Sequence, residues 1–127
     1  IGDTLRKHSL RIDLDQFDSR KMKNGLAPNY IHSLDAAALM ETVLQANELG
    51  VTQFALVHDS FATTAYWSDT LANSIRNAYL SIFRRDVLAE FKAEVESYLP
   101  QGVELPDLPT YGDLDIEQLS ESPYFFN

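Results

Sequence analysis

The sequence contains no cysteine. That excludes disulfides, zinc–thiolate sites and cysteine nucleophiles, and it fits a reducing interior. Glycine is scarce, with five residues scattered along 127. No glycine-rich loop is present to cradle a dinucleotide or a nucleoside triphosphate. A Gly-x-Ser-x-Gly elbow is also missing, so the serine-hydrolase pattern has no support. No apolar stretch approaches the roughly 20 residues that span a bilayer, and no signal-peptide pattern opens the chain. No membrane partner is expected. Positive charge is in short supply as well. Ten Lys and Arg face 19 Asp and Glu, for a net charge of −9. A free-standing nucleic-acid binder is expected to carry a basic face instead, because neutralising phosphates supplies most of its affinity.

What is present is enough apolar residue, 45% of the chain, for one packed core. The charge is unevenly spread. Residues 1–32 hold Arg6, Lys7, Arg11, Arg20, Lys21 and Lys23, whereas the acids gather toward the C-terminal half. No internal repeat and no low-complexity tract is visible. The chain opens on Ile1 inside an apparent strand, which is expected of a piece of a longer protein.

The pattern predicts an α+β fold, mostly helical around a central β-hairpin. Residues 1–28 read as an extended, basic leading segment, with Leu10, Ile12 and Leu14 on one face. Within it, Asp15 to Asn24 reads as a loop or a short irregular helix. Pro28 suits a first helical turn, so a helix is expected from Asn29 to Glu48, stopped by Gly50. Ile31, Leu34, Ala38, Val43 and Ala46 form its buried face, widened by Leu39, Met40 and Leu44. A hairpin follows over residues 52–65, with strands Thr52–His58 and Phe61–Ala65. Residues 68–127 hold the rest. Ser68 or Asp69 caps a helix to about Arg84 with Leu71, Ile75, Ala78 or Tyr79, and Ile82 buried. Asp86 caps a further helix carrying Leu88, Phe91, Val95 and Leu99. An irregular stretch, a short helix over Asp115–Leu119 and an aromatic end complete the chain.

The hairpin holds the leading chemical candidate. Phe54-Ala55-Leu56-Val57-His58-Asp59-Ser60-Phe61 delivers an acidic turn at the end of an apolar strand. Burial penalises a charged carboxylate, so Asp59 is expected to have a partner, often a metal ion. Magnesium takes oxygen ligands and uses only one or two protein carboxylates beside substrate phosphates. The structural alternative is a turn aspartate bonded to its own backbone. His58, on a strand, is expected to face away from Asp59, either touching substrate or bonded at the strand end. His58, Asp59 and Ser60 are consecutive and do not converge into a proton relay.

Asn29 and His32 form a second group, one turn apart on a helix. Both can donate to the largely sequence-independent acceptors of a minor groove, with Arg20, Lys21 and Lys23 on phosphates. The alternatives are a helix cap for Asn29 and a packed histidine for His32.

Together these motifs carry a resemblance. Gly25-Leu26-Ala27-Pro28-Asn29-Tyr30-Ile31-His32-Ser33-Leu34-Asp35, followed by the His58-Asp59-Ser60-Phe61 hairpin, closely resembles the C-terminal part of the single-subunit DNA-directed RNA polymerases, the T7-type bacteriophage and mitochondrial enzymes. The similarity continues through Asp86-Val87-Leu88-Ala89-Glu90-Phe91, Leu108-Pro109 and Leu114-Asp115 to Tyr124-Phe125-Phe126-Asn127. The resemblance implies that the hairpin is a palm motif, with Asp59 as one of two Mg²⁺-binding aspartates and His58 beside it. It implies that the Asn29 and His32 helix lies against the template–product duplex and the incoming nucleotide. It also implies that the aromatic end folds back toward the active site. Asn127 and Ala62 depart from the phage pattern, which ends in a small residue and often has Gly after Ser-Phe.

The second catalytic aspartate, the fingers helix with its lysine and tyrosine, and a promoter-binding domain are absent from these residues. The isolated chain is therefore expected to be inactive and to bind Mg²⁺ weakly. The partners implied are a DNA template, an RNA product, nucleoside triphosphates and the remainder of a polymerase, in cis or in trans as a split enzyme. A related DNA polymerase is disfavoured, because those enzymes place an acidic residue where Ser60 stands. A noncatalytic interaction module, with the acidic half as partner surface, is the reading from a different class. Left alone, the wide apolar arc of the Asn29–Glu48 helix is expected to drive homo-oligomers. The location implied is the cytoplasm of a bacterial host for a phage protein, or the mitochondrial matrix.

Overall fold

The computed structural model describes residues 9, 10, 12 and 15–125. Most of the extended segment read over Leu5–Leu14 lies outside them. The chain divides into two compact units, residues 1–32 and 33–127. In chain order the elements are α1 (Ser19–Glu48), β1 (Ala55–Val57), β2 (Ser60–Ala62), a 3₁₀ turn (Ala65–Trp67), α2 (Ser68–Phe83), α3 (Val87–Tyr98) and a second 3₁₀ turn (Ile116–Ser120). The fold is α+β, mainly helical with one antiparallel hairpin, as the pattern predicts.

The first unit corrects two expectations. The helix expected from Asn29 begins at Ser19, ten residues earlier, so Asp15 to Asn24 is not all loop. Asp18 caps it. Its Oδ1 accepts from the amides of Arg20 and Lys21 at 3.1 Å each, satisfying donors that a helix start leaves open. Pro28 therefore sits inside α1 rather than at its first turn, and Asn29 is a mid-helix residue rather than a cap.

The second unit holds the core. The buried face of α1 is Ala38, Thr42 and Ala46, a strict four-residue repeat. Thr42 escaped the apolar pattern. It is buried at little polar cost because its hydroxyl donates to the Ala38 carbonyl at 2.7 Å. Ile31, expected on the buried face, is exposed. Gly50 ends the helix as expected. The Val51 amide bonds the Ala46 carbonyl at 3.0 Å and the Gly50 amide bonds that of Asn47 at 2.9 Å. This crossed pair requires the left-handed backbone that Gly50 adopts, φ 100°.

Ala46 and Val51 then pack with Leu71 and Ile75 of α2. Full burial of each larger side chain contributes about 1.5–3 kcal/mol. Phe54, Phe61, Trp67, Tyr79 and Phe125 pack around that nucleus. The first turn of α2 corrects another expectation. Neither Ser68 nor Asp69 is its N-cap; that position is Trp67, with no side-chain cap bond, and the Ser68 hydroxyl donates to the Ala65 carbonyl at 3.0 Å. Asp86 does cap α3, accepting from the Ala89 amide at 2.9 Å. The helix expected over Asp115–Leu119 is the second 3₁₀ turn, capped by Asp115.

Candidate functional site

The hairpin is shorter than the sequence pattern suggests. Strand register pairs Ala55 with Ala62, Leu56 with Phe61 and Val57 with Ser60. Leu56 and Phe61 form the half-buried cross-strand pair, while their neighbours on both strands are exposed. That alternation turns Phe61 onto the Leu71 and Ile75 nucleus. At the open end, the Thr63 hydroxyl donates to the Gln53 carbonyl at 2.7 Å and ties the two chain segments together.

His58 and Asp59 are the two-residue loop between the strands. His58 is therefore not a strand residue, and the expectation that it faces away from Asp59 on β1 does not hold. Its φ is 54°, and among the described non-glycine residues it alone has a positive value. Tight hairpin loops need such a conformation, usually supplied by glycine at the first loop position. A side chain in that region costs about 1–2 kcal/mol, so the surrounding pairs hold His58 against its local preference.

Asp59 is exposed, as is His58. Contrary to expectation, burial does not force a partner on Asp59: the carboxylate stands in solvent at the tip. Its charge still reaches the interior. Burial, then the charges of Asp35 and Asp59, push the Tyr79 phenol above its usual range. The structure so brings Asp35 on α1 and Asp59 on the hairpin to the surroundings of Tyr79 on α2. Asp35 and Tyr79 were not singled out as site residues in the sequence. Their proximity depends on packing between distant segments, which no local pattern encodes. Among the described residues, no three His, Asp or Glu side chains gather into a metal-binding group.

The other candidates lie in the first unit, on the N-terminal part of α1. Arg20, Lys21, Lys23, Asn29 and His32 are all exposed. Lys21 Nζ lies 3.7 Å from Asp18 Oδ2 across one helical turn. A side chain built on Gly25 would meet Asn29 Nδ2 at 3.5 Å, which places the Asn29 amide over the gap that Gly25 leaves. Asn29 and His32 share a helix as expected, and His32 is not a packed histidine.

No helix among the described residues is long and apolar enough to cross a membrane. The family model of DNA-dependent RNA polymerase matches residues 4–104. The whole chain is similar to DNA-directed RNA polymerase 2, chloroplastic/mitochondrial, of Arabidopsis thaliana, at 36% identity over 127 residues and 12% of that protein's length. DNA-directed RNA polymerase 1, mitochondrial, of the same plant is 34% identical over 13% of its length. The chain therefore spans about an eighth of these relatives. DNA-directed RNA polymerase 1A of Nicotiana tabacum is 32% identical, and there the match covers 84% of the relative. With a family match over most of its length and relatives of this identity across all of it, the chain belongs to the DNA-dependent RNA polymerase family.

Proposed function

We propose that the chain is the C-terminal palm portion of a single-subunit DNA-directed RNA polymerase, contributing Asp59 to nucleotidyl transfer. The observation that carries this reading is the conjunction of the whole-chain match with an exposed carboxylate on a two-residue hairpin loop. Asp59 suits one ligand position for Mg²⁺, since such sites take few protein carboxylates and complete their shell with water and phosphate oxygens. When bound, the ion activates the attacking oxygen and stabilises the leaving one. The chain's own part is to hold the carboxylate still. Register fixes the loop, the Leu56 and Phe61 pair fixes the strands, and the core fixes Phe61. His58 sets the loop backbone from which Asp59 projects.

Exposed Arg20, Lys21 and Lys23 would neutralise phosphates of the template–product duplex. The Asn29 amide and the His32 imidazole would donate to minor-groove acceptors of that duplex or to the incoming nucleoside triphosphate. Exposed Met40 and Leu44 on α1 offer apolar surface to the remainder of the polymerase, or to a second copy of the isolated chain. Alone, the chain is inactive, because the second carboxylate and the nucleotide-binding helix are supplied elsewhere. The relatives' printed names place them in chloroplasts or mitochondria, which favours an organelle over a bacterial cytoplasm.

The test is Asp59→Asn in a polymerase that contains this segment. RNA synthesis should fall on the order of 100-fold or more, with unfolding unchanged because the side chain is exposed. Elongation that survives unaltered would remove Asp59 from the chemistry and favour a noncatalytic module. The near-full-length match to the short Nicotiana tabacum protein favours a second reading, a small chain that joins a larger partner in trans. Co-purification with a large polymerase chain separates that reading from a cis arrangement.

A further inference from the structure

Arg76 is the feature of the second unit that neither the motifs nor the hairpin accounts for. It lies on α2 between Ile75, which is buried in the nucleus, and the Asn77–Ala78 step toward Tyr79. Its Nη2 donates to the Ser122 carbonyl at 3.0 Å, joining positions 46 residues apart. Its Nε is buried with no hydrogen-bond partner among the described residues. Burying that N–H without an acceptor is costly, so the packing and the Ser122 bond together must hold the guanidinium in place. Three residues further along each segment, the Phe125 ring meets the Tyr79 ring edge to face, centroids 5.4 Å apart and planes at 81°. Phe125 and the hairpin's Phe61 both pack against the nucleus of Ala46, Val51, Leu71 and Ile75. The C-terminal segment and the Asp59 hairpin therefore share one support, α2, and Arg76 with Tyr79 is where the segment is fastened to it.

We infer that Arg76 is a positioning residue: it pins the Ser122 carbonyl, seats Phe125 against Tyr79, and so keeps the C-terminal segment on the helix, α2, that also carries the Asp59 hairpin. This rests on the polymerase reading for its effect on turnover, but not for the pin itself. Lysine is a poor substitute, because it offers a point cation on a shorter reach instead of a planar fork.

The experiment compares Arg76→Ala, Arg76→Lys and Phe125→Ala with the wild type in the full-length polymerase, by two readouts. The first is amide hydrogen exchange over residues 119–125 and over α2. Arg76→Ala should speed exchange in the C-terminal segment about tenfold or more while α2 keeps its protection, as expected for loss of a bond to a charged donor. Phe125→Ala should do the same, and the double variant should fall short of the sum, because both changes release one seat. The second readout is kcat and KM for nucleotide, per active site. Arg76→Ala should lower kcat about tenfold with KM little changed, and Arg76→Lys should recover part of it. Unchanged exchange in Arg76→Ala overturns the pin. Faster exchange with unaltered kcat overturns the positioning role. A wild type that makes no RNA sinks the polymerase reading instead, and the exchange result still decides the pin.

Discussion

The Arg84 guanidinium closes on the Glu117 carboxylate through two bonds, Nε to Oε1 at 2.6 Å and Nη2 to Oε2 at 2.5 Å, across 33 residues of chain. It ties the end of α2 to the second 3₁₀ turn. Arg85 makes a matching fork with Glu90, and the Tyr111 hydroxyl donates to Asp86 Oδ1 at 2.6 Å. Adjacent residues 84 and 86 thus fasten the α2–α3 corner to two distant places, while Arg85 braces it from within.

These contacts have a pH signature. The bond from Arg84 holds the Glu117 carboxyl below its ordinary value, Arg85 does so for Glu90, and Tyr111 with the Ala89 amide does so for Asp86. A group whose folded value is depressed stabilises the fold fully above its unfolded value, and loses that contribution as pH falls through the folded one. The corner should hold at neutral pH and loosen in the acid range below about pH 4. Carboxyl titration followed by NMR should show Glu117 shifting upward in Arg84→Ala. An unmoved Glu117 would discount the fork in solution.

At His58 the usual ranking of substitutions should invert. Alanine keeps the cost of a positive φ, whereas glycine removes it. His58→Gly is expected to be more stable than His58→Ala by about 1 kcal/mol in urea unfolding. Alanine equal to or better than glycine would mean that the loop is not strained.

Gly50→Ala should cost about 1–2 kcal/mol. The backbone there is left-handed, and an added Cβ would meet Trp67 Cη2 at 3.4 Å. Trp67 is the single tryptophan, so its fluorescence should report the change directly.

Ile75→Ala should cost about 2–5 kcal/mol, since Ile75 is 5% exposed at the centre of the nucleus. Circular dichroism melts would reveal it. A loss under 1 kcal/mol would show that the nucleus collapses around the gap.

Much of the fold was legible because local chemistry agreed with it. Asp86 capped a helix, Gly50 stopped one, and Leu71 with Ile75 marked a buried stripe. The start of α1 was not legible from the apolar pattern, because Pro28 imitates a boundary and the true start rests on the polar cap at Asp18. Thr42 was missed because its hydroxyl is satisfied within its own helix. At the candidate site, the sequence located Asp59 on its hairpin but misjudged its surroundings. An apolar strand suggests a buried tip, yet only alternate residues of a two-stranded hairpin face the core. Asp35, Tyr79 and Arg76 became visible only once distant segments were packed.

Pro28 leaves a mark on α1 beyond its position. It has no amide to offer the Asn24 carbonyl, and its ring crowds that oxygen. One rung of a 30-residue helix is missing there. A long helix resists bending through its ladder, so α1 is most compliant between Asn24 and Pro28.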